Sequence, residues 1–263
     1  MPILVTGLTI AGVVAKKRSP TAPPDFGPTF TVDQGGSFSA LPILLVLGFA
    51  LVAGLIVYLS YAAKKRRRMG FIQMAAQQHL TYSEQDPFGL LGYPFSIFQR
   101  GDGRGIEHVV HGMWQEINVV GFDYWYYQES TDSKGGTSRT YYRFDCVLVP
   151  VQAACSRLTI ERENFLTRMA DVLSFDDIQF ESEQFNDTFN VKAEDKKFAN
   201  DLIDARMMQW LLAGGSDYAF EVLGNRAMIV GPKIDPAAFP QLLGVARGFV
   251  DHVPRVVYSL YPG

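Results

Sequence analysis

The sequence predicts an α+β protein: an N-terminal transmembrane helix followed by a mainly antiparallel sheet domain with three helices. Three observations point there. Residues 40–63, ALPILLVLGFALVAGLIVYLSYAA, run for 24 residues without a charge, and KKRRR follows at once. Residues 106–129 and 140–151 are rich in β-branched and aromatic residues and flank a loop centred on Gly135-Gly136, the pattern of a long hairpin. After residue 160, three stretches repeat apolar residues at helical spacing. Strands in hairpins with helices interspersed late describe helices laid on an antiparallel sheet.

The uncharged run has the length of a membrane span. At about 1.5 Å per residue it reaches about 36 Å, against a hydrocarbon layer of roughly 30 Å. Its apolar residues surround the helix, leaving no polar stripe for a soluble surface. Tyr58 and Tyr61 fall near the basic end, where amphipathic rings favour the headgroup zone. Lys64, Lys65, Arg66, Arg67 and Arg68 set the orientation, because Lys and Arg concentrate on the cytoplasmic flank. The expected organisation is therefore single-pass in the cell membrane. Residues 1–39 form an extracytoplasmic segment rich in Pro and Gly, 40–63 cross the bilayer, 64–79 make a basic juxtamembrane stalk, and 80–263 form a cytoplasmic α+β domain. A second apolar run, residues 3–15, is too short for a span and reads as a short interfacial or frayed segment, or as a mis-called start. Within the span, Ala50 and Gly54 make a small-xxx-small step that permits close approach of another helix.

Charge is unevenly divided. Residues 1–68 hold eight Lys and Arg against two Asp, whereas residues 69–263 hold 16 Lys and Arg against 25 Asp and Glu. An acidic domain is poorly suited to nucleic acid, whose binding depends on neutralising phosphates. Cys146 and Cys155 lie in apolar runs on the reducing side and are expected to pack as small hydrophobes rather than to form a disulfide.

Along the domain, residues 69–79 continue the membrane helix, Pro87, Gly89, Gly92 and Pro94 break it, and FSIF (95–98) reads as a short strand. Residues 106–129 and 140–151 form the hairpin, and CSRLTIERE adds strand. Helices are expected at 164–173 behind an Asn164 cap, at 195–215 with Gly214 at the end, and at 235–254 behind Asp235 and Pro236. Between them, IQFESEQFNDTFNVKA reads as strand, and YAFEVLGNRAMIV as a hairpin turned by Gly224-Asn225.

Each candidate for chemistry has a plainer reading. GDGRG (101–105) lacks a following helix and matches no phosphate-loop pattern, so a tight turn is the better assignment. Glu107, His108 and His111 resemble a metal cluster, but in a strand residues three apart point to opposite faces. Cys155 has Arg157 two residues on, without a base to raise its reactivity. No catalytic, cofactor-binding or metal residue is therefore assigned, and no cofactor is expected. The local oddity is VVGFDYWYYQ, in which Phe122, Tyr124 and Tyr126 line one face of a strand and Asp123, Trp125 and Tyr127 the other. The first face is core. The second is either another buried layer under the late helices or a binding surface, since Trp, Tyr and Arg dominate interface hot spots.

The order of these pieces resembles a large family of uncharacterised bacterial membrane-anchored proteins, common in actinobacteria. The resemblance is carried by Phe98, Gly101 and Arg104, by Val110 with Gly112, and by Phe122, Asp123, Tyr124 and Tyr126. Asp177 to Ser182, then Phe185, Asn186, Phe189 and Val191, complete it over roughly residues 95–255. It implies N-terminal membrane anchoring and a cytoplasmic α+β domain, and it implies no activity or catalytic residue. The long Pro-rich N-terminal segment departs from the pattern.

The expected function is a non-enzymatic accessory or scaffold subunit of a larger respiratory, transport or envelope complex. Its partners would be integral membrane proteins met through Trp125, Tyr127, Ala50 and Gly54, and the lipid bilayer met through residues 40–63. The alternatives are a cytoplasmic ligand- or lipid-sensing domain on an anchor, or an enzyme with an unrecognised site. A deep pocket with convergent polar groups would favour those alternatives.

Overall fold

The structure is a computed structural model that describes residues 41–133, 135–162, 175, 177–215 and 217–263. The chain divides into two compact units, Met1–Val52 and Ala53–Gly263. In the first, residues 44–52 are exposed and almost wholly apolar. Helix α1 (Leu41–Gln77) is long and apolar enough to cross a membrane.

The second unit is an α+β domain on one six-stranded sheet, every strand pair antiparallel. Strands β1 (Thr81–Ser83), β2 (Gly103–Trp114), β3 (Ile117–Thr131) and β4 (Thr137–Arg162) follow one another across it. β4 is the organising element. Its first half lies between β3 and β6 (Ala219–Pro232), and its second half between β5 (Phe189–Ala193) and β6.

Alternating side chains give the sheet two apolar faces. Val147, Val149 and Ile160 belong to the larger core, with α1 and the late helices; Phe122, Tyr124, Tyr126, Phe144 and Cys146 belong to the other, with Leu90, Phe95, Ile97 and Phe98. The first aromatic face of VVGFDYWYYQ is thus core, as its period-2 pattern predicts.

Several expectations change. FSIF is not a strand: Ser96–Gln99 is a 3-10 helix, and Ser96, Ile97 and Phe98 are all buried, which alternation in a half-exposed strand does not allow. The 195–215 helix is two short helices, α3 (Lys196–Leu202) and α4 (Ala205–Trp210), followed by a π turn at Leu211–Gly215. Asp195 caps the first through Lys197 N–H and Asp204 caps the second through Met207 N–H, so a new start signal interrupts the apolar period. Part of the strand expected before residue 193 is helix α2 (Glu183–Thr188), whose N-cap Ser182 accepts from Phe185 N–H.

Gly224-Asn225 does not turn a hairpin. β6 runs straight through it along β4, and residues 151–154 of β4 bulge opposite Asn225, between the Pro150–Arg226 and Cys155–Gly224 pairs. Gly224 takes φ 58° there, the left-handed conformation that glycine tolerates. The bulge receives the C-terminus: Ala154 N–H donates to Tyr261 O at 2.8 Å, after α5 (Phe239–His252) and a further helix, α6 (Arg255–Leu260). The helix expected at 164–173 and the apolar run 3–15 lie outside the described residues.

The stalk is not a spacer. Phe71, Met74 and Ala75 of α1 are buried, Phe71 packs on Phe239 of α5, and Gln78 Oε1 accepts from Trp114 Nε1–H at 2.9 Å. The domain's core therefore begins inside the helix that carries the apolar run.

Candidate functional site

Strand register sets three carboxylates in a row: Glu107 pairs with Asp123, and Asp123 with Asp145. Like charges placed directly opposite repel, and Asp145 is fully buried. Arg67 of α1 answers two of them, Asp123 and Asp145. Its Nε and Nη2 donate to the two oxygens of Asp123 at 2.6 Å each, Nη2 also to Asp145 Oδ1 at 2.7 Å, and Nη1 to Ile234 O at 2.6 Å. Ile234 N–H returns to Asp145 Oδ2 at 2.8 Å. The planar fork of guanidinium suits such a cluster as an ammonium would not. Phe71, one turn on, lies under Arg67 at 5.1 Å. Of the five basic residues that flank the span, Arg67 is drawn into the sheet, Arg68 pairs with Glu84 at 2.9 Å on the surface, and Lys64, Lys65 and Arg66 are exposed.

Burial pushes the Asp145 acid up to about 8, and the neighbouring Asp123 carboxylate adds to it, while Arg67 and Ile234 N–H oppose the shift. Glu161, buried on β4, is likewise pushed up to about 7 by desolvation. Both acids hold their protons more tightly folded than unfolded. Stability from this source is full below about pH 4 and is lost as pH rises through 7 and 8. The thermal midpoint should fall by about 5 °C between pH 6 and pH 9, and Asp145→Asn should remove part of that fall. A pH profile that Asp145→Asn leaves unchanged would show that Asp145 does not titrate this way.

Beyond the clamp, the same face of the hairpin turns aromatic. Trp125 is opposite Arg143, Tyr127 opposite Tyr141, and Glu129 opposite Arg139. Trp125 and Tyr127 stack at 6.3 Å, Tyr141 tilts against both, and Arg139 lies 4.7 Å above the Tyr127 ring. Trp125 and Tyr127 are half-buried, Tyr141 is 50% exposed, and none of the three belongs to either buried core. At Trp125, Tyr127 and Tyr141 the second face is therefore only partly covered.

GDGRG acquires a role here. Gly103 and Gly105 already lie in β2, opposite Tyr127 and Trp125, and a Cβ on Gly105 would fall 2.6 Å from Trp125 Cζ2. The glycines make a flat bed for two rings. On α1, Ala50 and Gly54 are exposed, and a Cβ on Gly54 would meet nothing within 4 Å.

The remaining candidates serve the fold. His108 sits in a β-bulge at φ 53°, stacks on Phe71 at 5.4 Å and shares a 2.9 Å hydrogen bond with the Tyr82 hydroxyl. Burial pulls its pKa down, which favours the neutral ring. His111 meets Phe88 edge-on. Among the described residues no group of three or more His, Cys, Asp or Glu is arranged to hold a metal. Burial pushes the Cys155 thiol up to about 12, far from a reactive thiolate, and Arg157 turns to Pro94 O and Glu221.

The clamp and the aromatic face were only half visible in the sequence. Trp125 and Tyr127 stand out, but Arg67, Asp123, Asp145, Tyr141, Arg139 and Arg143 do not. The available signal was an acid between two core positions on each hairpin strand, Asp123 between Phe122 and Tyr124 and Asp145 between Phe144 and Cys146, with a run of basic residues on the helix before them.

No protein-family model matches the chain, and no match to a curated protein was found by sequence. The fold is similar to that in the crystal structure of the mycobacterial trehalose monomycolate transport factor A, TtfA, with a TM-score of 0.50 and 15% sequence identity. The match covers 72% of this chain and 95% of that one. At that identity the likeness concerns the fold.

Proposed function

We propose that the chain is a single-pass, membrane-anchored, non-enzymatic accessory subunit of a larger membrane assembly, with residues 64–263 on the cytoplasmic side. The observation that carries this reading is the Trp125–Tyr127–Tyr141 face with Arg139 and Arg143: a half-exposed aromatic and cationic surface on a stiff hairpin. Such surfaces are unusual on monomers and suit a partner site. Arg67, at the domain end of α1, clamps the hairpin from within the domain. Ala50 and Gly54 offer that partner a second contact within the bilayer, and two modest contacts on one chain reinforce each other. The fold likeness to a trehalose monomycolate transport factor is compatible with a role in transport.

Orientation and association are tested separately. A Ser37→Cys variant should react with an impermeant maleimide in intact cells and a Ser138→Cys variant should not; the reverse pattern overturns the topology. The full chain purified in mild detergent should carry at least one integral membrane protein at near-equal amount. A chain that purifies alone from its native membrane is not such a subunit.

A further inference from the structure

A cleft of about 600 Å³ opens where α1 meets the domain. One wall is helical, formed by Tyr61, Lys64 and Lys65, and the other is β2 at Glu107, with Glu84 and Gln85 between them. The volume falls within the range of small-molecule sites.

Its charges divide into committed and free. Arg68, also on the cleft, is held by Glu84 at 2.9 Å. Among the described residues, Lys64 and Lys65 have no ion pair or hydrogen bond, and Glu107 has none through its carboxylate. Two free ammonium groups thus face one free carboxylate across an open space.

Depth supplies the ligand class. The uncharged run ends at Ala63, so with that run in the bilayer Lys64 and Lys65 come at the level of the lipid phosphates. Tyr61 is placed as interfacial tyrosines are. We infer that this cleft is a headgroup site for a phospholipid: the phosphate ester lies on Lys64 and Lys65, and a hydroxyl or ammonium of the headgroup donates to Glu107. The pairing selects headgroups that carry donors beyond the phosphate. A lipid held there would fix the domain against the membrane surface at the same root that Arg67 clamps from within. The inference rests on the anchoring proposed above and is independent of the partner surface.

The test uses the full chain in mild detergent, stripped of lipid and titrated with phosphatidylglycerol or phosphatidylcholine, with bound lipid counted by native mass spectrometry. One phosphatidylglycerol should bind saturably, about tenfold more tightly than phosphatidylcholine, which has no headgroup donor. Lys64→Gln with Lys65→Gln should weaken that binding at least tenfold. Gln85→Trp, which fills the cleft without changing its charge, should abolish it. If Gln85→Trp binds phosphatidylglycerol as the wild type does, the lysines attract lipid diffusely and the cleft is not a site. If glycerol 3-phosphate binds as tightly as the lipid, the source is a soluble phosphate ester, and assignment to lipid is overturned. Failure of the anchoring itself would appear differently, as a wild-type chain that stays soluble without detergent.

Discussion

Replacing Arg67 by Ala should lower the thermal midpoint of the full-length protein by about 10 °C. Removing one partner of a buried ion cluster costs about 3–5 kcal/mol, because the remaining charge is left without compensation. For a domain of this size each kcal/mol moves the midpoint by about 2–4 °C. Without Arg67, Asp123 and Asp145 would face each other in cross-strand register with no guanidinium between them. Arg66→Ala, one residue away and exposed, should leave the midpoint within about 1 °C. A combined Arg67→Met, Asp123→Asn, Asp145→Asn variant should recover much of the loss, since apolar or neutral replacements of a whole buried cluster are often tolerated. Equal midpoints for Arg67→Ala and Arg66→Ala would mean that Arg67 is only another basic flank residue.

A fragment beginning at residue 80 should fail to fold cooperatively, whereas one beginning at residue 64 should fold. The sequence places the soluble domain's start at 80, after an apparent stalk. The structure buries Phe71 completely and Met74 and Ala75 almost so, and sets Phe71 against His108 and Phe239. Losing a buried Phe alone costs about 3–5 kcal/mol, and with Met74 and the Arg67 cluster the deficit reaches the whole stability of a typical domain, about 5–15 kcal/mol. The shorter fragment should lack a thermal transition and expose apolar surface. A sharp transition at the same temperature in both fragments would contradict the assignment of residues 67–77 to the core.

The fold was legible where pattern and packing agree. The hairpin strands, their inward aromatic face and the apolar helix were all visible, because strict alternation and an uninterrupted apolar run each admit few structures. The sequence was misleading where a side chain competes locally. Ser182 and Asp204 cap helices inside stretches whose apolar content suggested a strand and a longer helix. Gly224 looked like a hairpin turn, yet it belongs to a strand whose partner bulges, a fact held in β4 at residues 151–154, far away in the sequence. The family-like motif residues prove to be fold determinants. Asn186 pins both the N–H and the carbonyl of Phe180 at 2.9 and 2.8 Å, the Tyr124 hydroxyl donates to Ile97 O, and Gly112 lets Leu80 approach. The site was less legible than the fold because it depends on register. Nothing local in KKRRR distinguishes Arg67 from its neighbours; only the paired acids opposite do.

The partner surface is tested most directly by a Trp125→Ala, Tyr127→Ala double variant of the full chain. Its melting curve is compared first with the wild type, and its native-membrane partners are then quantified by mass spectrometry after mild-detergent purification. Both side chains are half-buried outside the two cores, so the midpoint should move by no more than about 3 °C. At least one integral membrane protein that accompanies the wild type should fall at least tenfold. A variant that folds normally and keeps every wild-type partner at full amount would contradict the hairpin as an interface.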